Sequence, residues 1–316
     1  MYGRRPVADA KRASRAILSN LLARGAPRLY VRLIGETGRG QKKETPESVA
    51  AYFRNCFEAY FQKLDLNLDS AREWLDGRVL LEYGPGDVPG VSLLMLAHGA
   101  RKVFCVDRFS LDQRSPFQVA VLQEILDGLD GEVRQRGEAC FVRAGDPASG
   151  FKPECLEYRV TKDGLSGLTD SIDLVYSRAV LEHVNDLDAT FDDMARALKW
   201  DGVAIHQVDL KSHGLHRENP LDFLTWPPLL WNLMYEGKGV PNRLRLDRYV
   251  QALANSGLTT RILEPTAHAD QEDIDAVRPY LAKPFRDLDD ETLRCLGFWL
   301  VAEKHPGEKC QDRPDG

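Results

Sequence analysis

The chain has 316 residues, 43% hydrophobic and 28% charged, with a net charge of −6. That length suits one sizeable α/β domain with additions, or two modest domains, and the composition is that of an ordinary soluble globular protein. The longest apolar stretches are far too short to span a bilayer, and the cysteines at 56, 105, 140, 155, 295 and 310 form no C-x-x-C pair, which argues against a disulfide framework or structural zinc and for a reducing, cytoplasmic setting.

Residues 1–43 form a basic arm, with eleven Lys/Arg against Asp9 and Glu36, a net of +9 that leaves −15 on the rest. The acidic body does not suit DNA or RNA. The arm could still meet an anionic membrane as a peripheral contact, an acidic partner or RNA. Arginines interrupt the start before any apolar run develops, so no signal peptide is expected. Residues 8–34 carry Ile17, Leu18, Leu21, Leu22 and Leu29 among arginines, an amphipathic helix broken near Gly25–Pro27. Packing on the domain edge is favoured over lying on a membrane.

The main domain is expected over 44–304. Thr45-Pro46-Glu47 starts a helix rich in aromatics (Tyr52, Phe53, Phe57, Tyr60, Phe61), and a short helix follows from Asp69 or Ser70. Strands and helices then alternate: strand 79–83, helix 91–98, strand 102–107, helix 116–136. Strand-like pieces come at 140–143 and 156–161, then strand 172–177, helix 187–198 and strand 203–210. A long insertion spans 211–245, helix 248–256 follows, and strands at 259–264 and 298–304 close the chain. This pattern implies an α/β fold with a doubly wound, mostly parallel sheet of seven strands. N-terminal helices precede it, and a helical insertion, about 211–256 with its last helix, follows the fifth strand. The cofactor half would cover about 75–210, and the polar tail 305–316 reads as disordered.

The sequence V-L-L-E-Y-G-P-G-D-V-P-G at 79–90 is a strand running into a glycine loop. In an open α/β sheet the ligand sits beyond the carboxyl ends of the strands. Gly84 and Gly86 permit a tight turn and close backbone approach. The dinucleotide fingerprint G-x-G-x-x-G is absent, because the third glycine comes at 90. Glu82 and Asp87 flank the turn; they repel a pyrophosphate and suit a ligand with an amino group and a sulfonium. S-adenosylmethionine is such a ligand. Asp107, at the end of the next strand, can accept hydrogen bonds from ribose hydroxyls.

E-x-G-x-G at 82–86, a strand ending in Asp107, and D-L-V-Y-S-R-A-V-L-E-H-V at 173–184 together resemble the class I S-adenosylmethionine-dependent methyltransferases, in particular the type 11 branch that includes ubiquinone/menaquinone-biosynthesis enzymes. The resemblance implies a Rossmann-like methyltransferase fold. It implies that Glu82, Gly84 and Gly86 line the methionine end of the cofactor and that Asp107 holds the ribose. Asp146 and Asp163 compete for the adenine, with Asp163 nearer the family spacing. Ser177 and His183 would lie beside the cofactor.

On the acceptor side, Asp209 and His213 fall at the end of the fifth strand, and Asp209 could orient His213 as a general base for a hydroxyl acceptor; capping the strand and solvating the loop is the alternative. His206, Asp209, His213 and His216 match no metal spacing, so no metal is expected. Trp226 and its apolar neighbours could roof an acceptor pocket or form core. Arg243 and Arg245 could pair with an acceptor carboxylate or phosphate, or be solvated. The expected activity is methyl transfer to a small molecule, at oxygen, with an apolar or lipid-linked acceptor in keeping with the insertion. A non-catalytic cofactor-binding or scaffold subunit is the alternative, with an NAD-dependent oxidoreductase below it.

Overall fold

The computed structural model describes residues 6–26, 29–30, 33, 44–109, 111 and 114–304. The expected tail at 305–316, and most of 27–43, lie outside the described residues. Among the described residues, seven strands form one sheet in the order β3-β2-β1-β4-β5-β7-β6. These are β1 Val79–Tyr83, β2 Lys102–Asp107, β3 Leu156–Val160, β4 Ile172–Arg178, β5 Leu198–Asp209, β6 Thr259–His268 and β7 Cys295–Glu303. β1 to β5 pair in parallel, while β7 is antiparallel to β5 and β6. The expected doubly wound, mostly parallel sheet is therefore present. Strand order reverses between β1 and β4, the switch point where such sheets bind ligands.

β1 is buried along its whole length, as a parallel strand covered on both faces requires. Helices 46–63 and 90–97 pack on one face. Helices 187–197 and 246–255 pack on the other. Thr45 and Ser48 form the capping box that starts helix Pro46–Lys63.

The structure departs from the sequence reading in four places. The single helix expected over 116–136 is two, Pro116–Asp127 and Gly131–Ala139; Gly128 ends the first and Asp130 precedes the second, and glycine costs a helix roughly 1 kcal/mol. The piece at 140–143 makes only an isolated bridge, Phe141 to Phe151, because Asp146 turns the chain by accepting from the Ala148 N–H. β5 begins at Leu198, five residues early, through a bulged register against β4. Short helices at 271–277, 283–286 and 290–294 fill a stretch where no element was expected.

A third core lies apart from the sheet. It gathers Phe223, Trp226, Trp231 and Met234 from the insertion with Ile274, Leu281, Phe285 and Leu293. Helix Pro6–Gly25 docks on it. Ala13, Ala16, Asn20 and Ala23 recur at helical spacing and are buried. Asn20 Nδ2 donates to the Leu233 carbonyl at 3.0 Å, and its Oδ1 accepts from Gly237 N at 2.8 Å. Arg217 grips Asp9 through two bonds of 2.9 and 3.1 Å.

Candidate active site

A cavity of about 670 Å³ opens at the carboxyl ends of β1, β2 and β4, a usual size for a small-molecule site. Its first wall is the glycine loop. Gly84 and Gly86 have φ of +62° and +71°, a region closed to most side chains. A Cβ on Gly84 would strike Val180 at 2.5 Å. Gly84 N donates to the Val106 carbonyl at 2.8 Å, which ties the turn to β2. Val88 is buried, and the following helix starts at Gly90, where a Cβ would collide with Phe53.

Strand register builds the floor. Glu82 pairs with Cys105 on β2 and with Tyr176 on β4, so all three share one face. Ser92 donates to Glu82 Oε2, and the Tyr176 hydroxyl and Cys105 Sγ approach the same oxygen at 3.2 and 3.9 Å. Burial pushes the Glu82 carboxyl up to about 7, against which these bonds act. Asp107 lines the cavity and accepts from Phe109 N at 3.0 Å, while burial raises its carboxyl. Asp163 also lines the cavity, on a loop that Asp193 secures through the Ser166 and Gly167 N–H groups. Asp146 is elsewhere, paired with Arg143. Asp87 is buried at the loop and lines the cavity.

The helix at 46–63 closes this end through Tyr52, Phe53, Cys56 and Tyr60. Arg178, at the end of β4, donates from Nε to the Tyr52 hydroxyl at 3.1 Å. Its Nη1 is buried without a hydrogen-bond partner. Sequence reading passed over Arg178, although it stands inside the motif at 173–184.

The far end is built by two turns. Leu181–His183 forms a single turn after β4. Asn242 holds it, donating from Nδ2 to the Leu181 and Val184 carbonyls at 3.0 and 3.1 Å and from its backbone N to Glu182 O at 2.6 Å. Arg108 donates to the His183 carbonyl at 2.9 Å. His213 stands on the loop after β5 at φ +49°, its ring 5.0 Å from that of His183. Burial, with His213 beside it, pushes His183 down to about 3, so its imidazole is neutral at ordinary pH. Burial, then the nearby Asp209 charge, drives the Glu182 carboxyl well above the usual range.

Asp209 and His213 both line the cavity, yet the expected pairing between their side chains does not form. His213 Nε2 lies 3.4 Å from the Asp209 backbone carbonyl and 3.8 Å from the Glu182 carboxylate. The Asp209 carboxylate accepts instead from Lys211 N. Glu182 is thus the acid facing His213. The only signal for it was its place beside His183 in L-E-H-V.

Four expected residues lie outside the cavity wall. Ser177 is buried beneath it, 2.7 Å from His206 Nδ1; burial holds His206 down at about 3. Trp226 is part of the third core and stacks under Arg217. Arg243 and Arg245 are corrected from acceptor ligands to internal ties. Arg243 donates to the Phe223 and Trp226 carbonyls at 3.3 and 2.7 Å. Arg245, 1% exposed, donates to the carbonyls of Leu210 and Leu293 at 3.1 Å and to that of Cys295. Burial lowers the two guanidiniums to about 9 and 10. Among the described residues the cations that line this end are Arg108 and Lys238, the latter lowered by burial to about 8.

A family model described as a methyltransferase domain matches residues 52–261. Among curated proteins none matches the chain. Solved structures resemble it at low identity. An S-adenosylmethionine-dependent methyltransferase from Mesorhizobium loti is 19% identical, covering 75% of this chain and all of its own, with a TM-score of 0.42. A geranyl diphosphate C-methyltransferase from Streptomyces coelicolor is 12% identical, covering 75% of this chain and 77% of its own, with a TM-score of 0.39.

Proposed function

The chain belongs to this methyltransferase family and uses S-adenosylmethionine, and from that premise we propose that it methylates an oxygen of a small-molecule acceptor. The residues of the first wall fit the cofactor. Glu82 and Asp87 offer negative charge for the amino group and sulfonium, and the buried, unpartnered Nη1 of Arg178 offers a donor for the carboxylate. Asp107 suits the ribose hydroxyls, and Asp163 the adenine amino group.

One observation carries the choice of oxygen: the cavity ends on two imidazoles with a buried carboxylate behind them. A hydroxyl acceptor must lose a proton, and such groups aid that loss. The acceptor oxygen bonds to the methyl carbon as the carbon–sulfur bond breaks, its electron pair staying on sulfur. The proton leaves toward the wall bordered by His213 and Asp209. In-line alignment, with water kept out by the aromatic helix, supplies much of the rate. Labelled S-adenosylmethionine, incubated with phenols, hydroxy acids, prenols, amines and thiols, tests this reading. Methyl ethers or esters are expected; label found only in nitrogen, sulfur or carbon products overturns it.

A cytoplasmic setting at an anionic membrane surface accords with two features. Cys56, Cys105, Cys140, Cys155 and Cys295 are not joined in disulfides. Leu18 and Leu21 face outward beside Lys11, Arg15 and Arg24, and Leu229 and Leu233 are exposed on helix 228–235. Among the described residues no helix is long and apolar enough to cross a membrane. Vesicles containing phosphatidylglycerol should carry the protein upward on flotation. The Leu18→Ser, Leu229→Ser, Leu233→Ser triple variant should float several-fold less. Equal flotation of the two proteins, or none, sinks the membrane role.

A further inference from the structure

The turn after β4 and the loop after β5 join three side chains that lie up to 31 positions apart. Glu182 Oε1 is 3.9 Å from His183 Nε2 and 3.8 Å from His213 Nε2. One ligand-capable atom from each residue lies within 4.8 Å of the other two. These separations are too long for hydrogen bonds. The Glu182 side chain is 1% exposed, and neither carboxylate oxygen has a hydrogen-bond partner. Ionised in that place, with no donor within hydrogen-bond distance, the carboxylate would be costly. A shared cation would remove that cost. Ligand atoms about 2.0–2.2 Å from a metal sit roughly 3–3.5 Å apart, so closing the cluster asks for movements on the order of 1 Å.

We propose that Glu182, His183 and His213 hold a divalent cation of the zinc, manganese or iron class at the acceptor end of the cavity. Two imidazoles and one carboxylate, with coordination positions left open, are a common donor set for a reactive metal. The openness follows from placement. Both imidazoles line the cavity, whereas Glu182 is behind them and does not. The frame is stiff, because Asn242 holds the Leu181 and Val184 carbonyls on either side of Glu182 and His183, and Arg108 holds the carbonyl of His183 itself.

The use of this site rests on the oxygen-acceptor reading; the site itself does not. A cation held there would act as a Lewis acid and make a hydroxyl bound to it easier to ionise. With both imidazoles engaged, Asp209 is the wall residue left to receive the proton. The oxygen then bonds to the methyl carbon, and the carbon–sulfur electron pair stays with sulfur as before.

The full chain, freed of metal with a chelator, should be titrated with Co²⁺ while visible absorption is followed, and with Zn²⁺ in a calorimeter. One ion per chain is expected, with a cobalt spectrum of nitrogen and oxygen ligation. Glu182→Gln and His213→Asn should each weaken binding roughly tenfold to a hundredfold. His213 is on an exposed loop in a left-handed backbone that asparagine tolerates, so this variant keeps the test sharp should Glu182→Gln fold poorly. No saturable binding at millimolar metal, or equal binding by wild type and the His213→Asn chain, overturns the site. Metal binding with label found only on nitrogen or carbon leaves the site standing and removes the oxygen reading; the reverse result removes the site alone.

Discussion

The two ends of the cavity are built by different means. At the glycine-loop end, neighbouring strands fix each functional group: register alone sets Glu82 between Cys105 and Tyr176, and the Gly84 turn is tied to the next strand. At the acceptor end, the groups stand on turns. They are secured by side chains from far along the chain: Asn242 on the turn at 181–184, and Arg245 joining the end of β5 to the start of β7. The first end is a property of the sheet. The second is a property of its closure. Damage to the one should therefore alter binding, and damage to the other should alter folding first.

The sharpest break is expected from Arg245→Met. It leaves three buried carbonyls without their donor, a loss of about 3–5 kcal/mol and a melting temperature lower by roughly ten degrees. Calorimetry of the folded fraction should still find cofactor affinity near wild type. A large affinity loss in that fraction would show that the two ends are not separable. Asp107→Ala should do the converse, weakening S-adenosylmethionine binding roughly a hundredfold with little change in melting. Equal binding by the variant would remove Asp107 from the ribose site.

The third test concerns pH. Burial lifts Glu82 to about 7 from an ordinary 4.5. The neutral acid is therefore favoured in the empty protein. Its contribution to stability is full below pH 4.5 and is lost as pH rises through about 7, a change of about 3 kcal/mol. Cofactor binding runs the other way, because the cationic ligand prefers the carboxylate. Affinity should rise roughly tenfold from about pH 6 to about pH 8. Ser92, Tyr176, Cys105 and Tyr60 face this group, and burial holds the Tyr60 and Tyr176 phenols well above their ordinary value, so neither ionises over that range. Glu82→Gln should flatten both curves; an unchanged affinity profile would assign the dependence to another group.

The same contrast accounts for what could be read from the sequence. Alternating strands and helices, the loop acids and Asp107 are local patterns, and the structure places Glu82, Gly84, Gly86, Asp87, Asp107 and Asp163 around one cavity. The acceptor end was misread where position along the chain is a poor guide to direction in space. Arg243 and Arg245 stand near the right strand ends but point inward to carbonyls. Trp226 serves the third core. Glu182 was overlooked because its partner His213 lies 31 residues away, a distance no spacing rule spans. The fragments at 140–143 and 198–202 were misread for a plainer reason: a turn acid kept the first from becoming a strand, while a bulged register against β4 carried β5 back over the second, where no strand was expected.

The third core has a consequence in time. It joins the helix at 6–25 to the insertion and to residues 269–296. As the chain is synthesised, β1 to β4 can pair once residue 178 has emerged, whereas Arg245 finds its last carbonyls only when 293 and 295 have been made. Long-range contacts of this kind form late and slowly. The nascent protein therefore passes through a stage in which the donor of the methyl group has its berth while the end that chooses the recipient is still unbuilt.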